Sequence, residues 1–230
     1  MRIDVISAVV KIFDGPLSES ILKRAQDKKI AEIVLHNLRD YADGTYRQVD
    51  DKPFGGGAGM LLKPEPLFKC LNKLLAERDY DEVIYLSPQG VKFNQKRANA
   101  LSLSENLILI CGHYKGIDQR VIDKFVTKEI SIGDYVITGG ETAAIVVIDA
   151  IVRLLPGVLN DSESALTDSF QTESGFDAPA YTRPAEYEGL KVPEVLLNGN
   201  HKNIAAWRLA EGNKKYKSVK RIKKRKIINK

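Results

Sequence analysis

The sequence predicts an α/β protein in which a parallel sheet carries helices on both faces and a small, mainly helical part follows toward the C-terminus. Three observations predict it. Apolar, β-branched runs alternate along the chain with stretches of helical spacing, and the runs lack the two-residue alternation of a sheet with one wet face. Three successive strands lead into glycine-bearing turns: SPQG (Ser87 to Gly90), CGHYKG (Cys111 to Gly116) and IGDYVITGG (Ile132 to Gly140). In a parallel sheet such turns share one edge, at the carboxyl ends of the strands, where ligands collect. After Pro156-Gly157 the composition changes to a polar Ser, Asp and Thr stretch and then to basic residues.

Taken in order, Arg2 to Val10 reads as the first strand. Pro16 suits the first turn of a helix, where its missing N–H would be unpaired anyway. Leu17, Ile21, Leu22 and Ala25 continue that helix at the right spacing to Lys28. Ala31 to Leu38 is the second strand. Pro64 to Arg78 places Leu67, Leu71, Leu74 and Leu75 on one helical face. Glu82 to Leu86 is the third strand, Asn94 to Leu101 a short helix, and Asn106 to Ile110 the fourth strand. GHYKGIDQRVID then supplies a loop and a short helix, and Val126 to Ile130 opens an extended segment.

That segment runs into SIGDYVITGGETAAIVVIDAIVRLLP, Ser131 to Pro156, around which the chain is organised. Its first half is extended and apolar, and a long apolar helix starts at Glu141. Glycines at the corner between them let the backbone approach a ligand and leave amide groups free to bind it. Beyond Pro156, Asn160 to Gly175 reads as a linker. Pro179, Pro184 and Pro193 keep the chain extended until Asn203, where Ile204, Trp207 and Arg208 begin a helix. The expected organisation is a main domain over 1–159, a linker over 160–175 and a small domain over 176–230.

Arg39 to Gly59 fits neither period. It is too long for a simple connection and reads as a mobile substrate loop. Its glycines fail the phosphate motifs: no GK[ST] follows, and Met60 stands where G-x-G-x-x-G needs a glycine. Gly55-x-Gly57-x-Gly59 does satisfy the looser glycine pattern of Rossmann-like methyltransferases, but DDKPF precedes it in place of an apolar strand.

With 230 residues, 43% of them hydrophobic, the chain is long enough to bury a full core. No run approaches the roughly 20 apolar residues of a membrane span, and MRIDVISAVV lacks the zones of a signal peptide, so a cytoplasmic location and no membrane partner are expected. Cys70 and Cys111 have neither CxxC spacing nor a nearby His cluster, so no metal site is expected. The charge is uneven: 213–230 holds ten Lys or Arg and no Asp or Glu, leaving 25 basic against 30 acidic residues elsewhere. A tail such as KKYKSVKRIKKRK attracts phosphate backbones. It reads equally as a solvated solubility tail.

YLSPQG (Tyr85 to Gly90), CGHYKGIDQRV (Cys111 to Val121), SIGDYVITGGE (Ser131 to Glu141), RLLPGVL (Arg153 to Leu159), DSF (Asp168 to Phe170), YTRP (Tyr181 to Pro184) and PEVLLNGNH (Pro193 to His201) stand together in one order. This set closely resembles the bacterial tRNA (guanine-N1)-methyltransferase family, TrmD, from the first strand to Trp207. The resemblance implies a SPOUT-type fold with a deep trefoil knot, an exception to the rule that chains are unknotted. It also implies a homodimer whose tRNA site combines both subunits.

In that family S-adenosyl-L-methionine sits bent in the knot, held by backbone atoms of three loops. Carried onto this chain, the cofactor-binding candidates are Tyr85, Leu86, Ser87, Pro88, Gln89 and Gly90, then Gly112 and Tyr114. The third loop adds Ile132, Gly133, Asp134, Tyr135, Val136, Ile137, Thr138, Gly139 and Gly140. Tyr114 and Tyr135 are candidates to pack against adenine or guanine, although buried tyrosines are more often core. The implied reaction is methyl transfer to N1 of guanosine 37, 3′ of the anticodon, with the anticodon stem-loop as partner. N1 carries a proton, so a carboxylate must accept it, and Asp168 matches the family's proposed base. Charge develops toward O6 as the proton leaves, and Arg153 matches the arginine assigned near that site. Without the resemblance, Asp168 reads as a loop carboxylate and Arg153 as a helix-end arginine.

Arg183, His201, Trp207 and Arg208 are the tRNA-contact candidates, with Trp207 reading more readily as a core anchor. Two departures stand out. Lys115 replaces a glutamate that many members use in methionine-end contacts and magnesium dependence, which puts a magnesium requirement through this position in doubt. GGETAA replaces the commoner GGELPA. A non-catalytic tRNA-binding SPOUT protein and a Rossmann-like methyltransferase using Gly55 to Gly59 are the alternatives.

Overall fold

The computed structural model describes residues 1–159, 169–170 and 176–228, with backbone alone from 220. The chain divides into two compact units, Met1–Asn160 and Asp161–Lys230.

The first unit is built on five parallel strands: β1 (Arg2–Ser7), β2 (Glu32–Asn37), β5 (Glu82–Lys92), β6 (Asn106–Cys111) and β7 (Lys128–Ser131), in the order β2-β1-β6-β5-β7. A two-stranded pair, β3 (Asp50–Asp51) with β4 (Leu61–Leu62), stands outside it. The helices are a short turn α1 (Asp14–Leu17), α2 (Ser20–Asp27), α3 (Pro64–Glu77), α4 (Gln95–Leu101), α5 (Gln119–Phe125) and α6 (Gly140–Val152).

Alternate strand residues serve the two faces, as the pleat requires. Leu107, Leu109 and Cys111 of β6 pack with Ile3, Val5, Ile84 and Leu86 against Leu22, Leu101 and the apolar face of α6. Ile108 and Ile110 pack on the opposite face with Ile6, Val83 and Tyr85 against Leu67, Leu71 and Leu74 of α3 and Val121 and Phe125 of α5. Both faces are therefore covered, which explains why the strands read as continuous apolar runs. One charge lies inside the sheet: Asp4 is fully buried. It accepts from the Arg2 guanidinium at 2.8 and 2.9 Å and from the Tyr80 hydroxyl at 2.8 Å, and pairs with His36 Nε2 at 2.7 Å.

The structure corrects several sequence expectations. The first strand ends at Ser7, not Val10, because Val10–Phe13 tightens into a 3-10 turn that buries Phe13. The helix expected from Leu17 to Lys28 breaks at Ser18, whose hydroxyl turns back onto the carbonyls of Asp14 and Gly15. The strand expected to stop at Leu86 resumes to Lys92. Leu86 and Val91 both pair with Ile130, so Ser87 to Gly90 bulge out of the ladder. Pro88 has no N–H to give to that ladder. Ser131 to Thr138 is irregular beyond Ser131, leaving Tyr135, Val136 and Ile137 exposed. Proline and asparagine set the helix starts: Pro64 opens α3, and the Asn94 side chain caps α4 by accepting from the Arg97 amide at 3.0 Å.

In the second unit, β8 (Glu186–Tyr187) and β9 (Leu190–Lys191) form a hairpin where only extended chain was expected, and α7 (His201–Ile228) starts two residues before Asn203. Gly212 of α7 lies under the Phe176 carbonyl, and the Phe176 ring meets Tyr216 edge-on at 5.3 Å. Among the described residues no helix is long and apolar enough to cross a membrane.

Candidate functional site

The middle of β5, at its bulge, and the carboxyl ends of β6 and β7 close around a cavity of about 370 Å³. Tyr85 and Leu86 come from the paired part of β5, Ser87, Pro88 and Gln89 from its bulge, and Gly112 and Tyr114 follow β6. Ile132, Gly133, Tyr135, Val136, Ile137, Thr138, Gly139 and Gly140 come from the segment between β7 and α6. The sequence candidates are thus brought together, apart from Gly90 and Asp134. Gly90 is used for packing instead: a Cβ there would stand 2.5 Å from the Glu129 carbonyl carbon and the Ile130 nitrogen. Asp134 faces solvent and pairs with Lys92.

Backbone closeness shapes this cavity. The amide of Gly140 donates to the Gly112 carbonyl at 2.7 Å, and His113 bridges Gly139 as an isolated antiparallel pair. A Cβ on Gly112 would meet the Tyr85 ring at 2.9 Å, and one on Gly133 would overlap the Tyr135 ring. Tyr85 is held in the floor, and burial, helped by the charge of Glu129, pushes its hydroxyl up from the ordinary tyrosine value. Tyr114 takes a left-handed φ of 58° that turns the backbone back toward Gly116. Such a conformation is costly for a non-glycine residue and occurs where surrounding contacts impose it.

His113, Lys115 and Gly116, which the sequence placed in the CGHYKG turn without naming them as cofactor contacts, also line the cavity, and so do Ile117, Gln119, Ile122, Glu129, Ile130, Ser131 and Ala143, which it missed. Contiguity was the available signal for the first of these, since GHYKGI runs unbroken along one wall. Lys115 and Glu129 are the charged side chains among the described lining. The stem of Lys115 lies across Gly59, where a Cβ would stand 2.8 Å from Cγ, and its amide donates to the Met60 carbonyl at 3.0 Å. The glycine-rich loop therefore borders the cavity without lining it. Gly55, Gly56 and Gly57 have open space around them.

Arg153 is not part of the lining. It caps the C-terminal end of α6 and is half-buried. The cavity is at the other end of this 13-residue helix, roughly 18 Å away at 1.5 Å per residue. Asp168 lies outside the described residues. In the second unit Arg183, His201 and Arg208 are exposed, whereas Trp207 is half-buried with its ring 6.4 Å from Tyr181. Among the described residues no group of three His, Cys, Asp or Glu side chains is arranged to hold a metal ion, and Cys70 and Cys111 are buried free thiols.

A doubly covered parallel sheet whose strand ends fold glycine-rich backbone around one cavity defines an α/β ligand-binding domain. Comparison with known proteins narrows that class. The family model described as tRNA (Guanine-1)-methyltransferase TrmD matches residues 1–225, and the chain belongs to this family. It is 59% identical over 211 residues to a tRNA (guanine-N(1)-)-methyltransferase of Bacteroides fragilis, covering 92% of this chain and 93% of that one. The protein of the same description from Bacteroides thetaiotaomicron is 56% identical over 220 residues, covering 96% and 97%. That from Chlorobaculum tepidum is 57% identical over 208 residues, covering 90% of each.

Proposed function

We propose that this chain transfers a methyl group to N1 of a guanine in tRNA, the guanosine at position 37 beside the anticodon, with S-adenosylmethionine as donor. The observation that carries the reading is the convergence of three loops, picked out in the sequence, on one cavity in a chain of this family.

The residues present fit the donor. The cavity volume is within the usual range for a small ligand. Leu86, Ile130, Ile132, Ile137 and Ala143 offer an apolar surface for a purine, and the glycine corners bring backbone amides and carbonyls within reach of its polar edge. Those same corners exclude side chains from the space. The bound donor supplies an activated methyl group that already carries its leaving group. The chain's own task is then alignment, proton removal and stabilisation of charge.

Asp168 accepts the N1 proton as the lone pair of N1 turns toward the methyl carbon. Arg153 stabilises the negative charge that grows toward O6. Its position at the far end of α6 from the cavity supports a homodimer in which one chain's arginine serves its neighbour's cavity. The base leaves its stack to enter the site. Arg183, His201, Arg208 and the basic residues of α7 hold the anticodon stem-loop through its phosphates, and contacts to base edges select the guanosine. The β7 to α6 connection is tied to the segment after β6 by the Gly140 to Gly112 bond and the His113–Gly139 bridge, which is compatible with a knotted chain of the SPOUT type.

Methyl transfer from labelled donor to an unmodified tRNA transcript tests the reading. Wild-type protein is expected to label guanosine 37 and not a transcript with adenosine there. Asp168→Ala is expected to retain donor binding and lose at least about a hundredfold in rate. Donor and tRNA binding without transfer by the wild type would leave a tRNA-binding protein in place of an enzyme.

A further inference from the structure

We propose that Glu141 is a positioning residue for the donor cavity, acting through His113. Three observations join in this assignment. Glu141, in the first turn of α6, is 1% exposed, and its Oε1 accepts from the Ser7 hydroxyl at 2.7 Å. Its second oxygen stands 3.6 Å from His113 Nδ1, which is buried and has no hydrogen-bond partner among the described residues. Gly139 lies between the two, and a Cβ there would overlap both the carboxylate and the imidazole nitrogen.

A buried ring nitrogen without a partner is costly, and a buried carboxylate is tolerated only when its oxygens are satisfied. The 3.6 Å gap is a little longer than a hydrogen bond, so a small inward movement of His113 or of the α6 start satisfies both groups at once. His113 and Gly139 belong to two different walls of the cavity and are already bridged backbone to backbone. A Nδ1–H to Glu141 bond would therefore lock the Cys111 to Lys115 wall against the Ile132 to Gly140 wall, with Ser7 anchoring the carboxylate to β1. The helix start favours the negative charge. Gly139 is required here because any side chain would part the pair.

This inference rests on the donor reading of the cavity, and its test separates the two. In free protein labelled with ¹⁵N-histidine, the His113 Nδ1 resonance is expected in the protonated range, and Glu141→Gln is expected to move it to the unprotonated range. The amide of Gln presents N–H there while its oxygen still accepts from Ser7. Calorimetric titration with S-adenosylmethionine is expected to show about tenfold weaker binding for Glu141→Gln, the loss of one buried charge-assisted bond, with kcat at saturating donor within about threefold of wild type. His113→Asn keeps an N–H at the Nδ1 position and should restore wild-type binding, whereas His113→Leu should match Glu141→Gln. The double variant His113→Leu with Glu141→Gln should be no weaker than either single.

An unmoved His113 resonance in Glu141→Gln, unchanged donor affinity, or losses that add in the double variant would each overturn the assignment. If Glu141→Gln fails to fold, the contrast between His113→Asn and His113→Leu decides it. Failure of the wild type to bind the donor would overturn the functional reading instead, while the resonance shift still tests the pair.

Discussion

Gly140 lies so close to Cys111 that a Cβ on it would stand 2.8 Å from the Cys111 Cα, while its amide donates to the Gly112 carbonyl at 2.7 Å. The start of α6 is thereby seated directly on the end of β6. Because the neighbour is backbone, it cannot swing aside as a flexible side chain would.

Gly140→Ala should therefore push α6 off the strand, costing about 1–3 kcal/mol in urea unfolding and weakening donor binding by more than tenfold in calorimetry. Gly57→Ala is the contrasting case. Gly57 has φ +110° but open space around it, so the cost is about 1 kcal/mol of local strain with donor affinity unchanged. Loss of donor binding in Gly57→Ala alone would instead favour a Rossmann-like site in the glycine loop.

Arg153 and the cavity occupy opposite ends of α6. If the reactive site is shared between two copies, Arg153→Ala and Gly140→Ala are each expected to lose methyl transfer, and mixing and reassembling them should restore it. A random mixture gives mixed dimers in about half of the assemblies, each with one intact site, so roughly a quarter of wild-type activity is expected. No recovery would place Arg153 in the cavity of its own chain or outside catalysis.

Burial opposes the ionisation of Asp4, but hydrogen bonds from His36, Arg2 and Tyr80 outweigh it and hold the carboxyl at about 2, below its ordinary 3.8. A carboxyl depressed by folding contributes its full stabilisation above the unfolded value and loses it as pH falls through the folded value. Stability should thus drop by about 2 kcal/mol between roughly pH 4 and pH 2 on account of this group. Asp4→Asn should remove that part of the acid limb and cost about 3 kcal/mol at pH 7 by stranding its partners. Urea unfolding across the pH series measures both.

Ending the chain after Val219 removes seven Lys and Arg residues. If these neutralise phosphates, tRNA affinity should fall and the slope of log K against log salt should flatten by at least about 2, from about 0.7 per lost contact on single-stranded nucleic acid. Filter binding at several salt concentrations reads the slope. An unchanged slope assigns the tail to solubility.

Much of the fold was legible because burial on both faces leaves a direct mark: after Asn106 and Glu82, LILI and VIYL run on with no polar alternation, and their neighbours repeat at helical spacing. The limits of β5 were not legible. SPQG looks like a strand end, and only the pairing of both Leu86 and Val91 with Ile130 shows that the strand resumes. The hairpin of β8 and β9 left no signal in so short and polar a stretch.

What the sequence by itself determined was the sheet with its two covers, the glycine corner at Gly139-Gly140 and the set of loops that line the cavity, since each depends on local pattern and on residue type. Only the tertiary structure decided that Gly90 serves packing, that Asp134 turns to solvent, that Arg153 stands a helix length from the cavity, and that Ser7, His113 and Glu141 meet. Those relations join residues up to 134 positions apart. The physical reason is that a side chain's neighbours across the fold are chosen by how strands pair and helices seat, which no local period in the chain records.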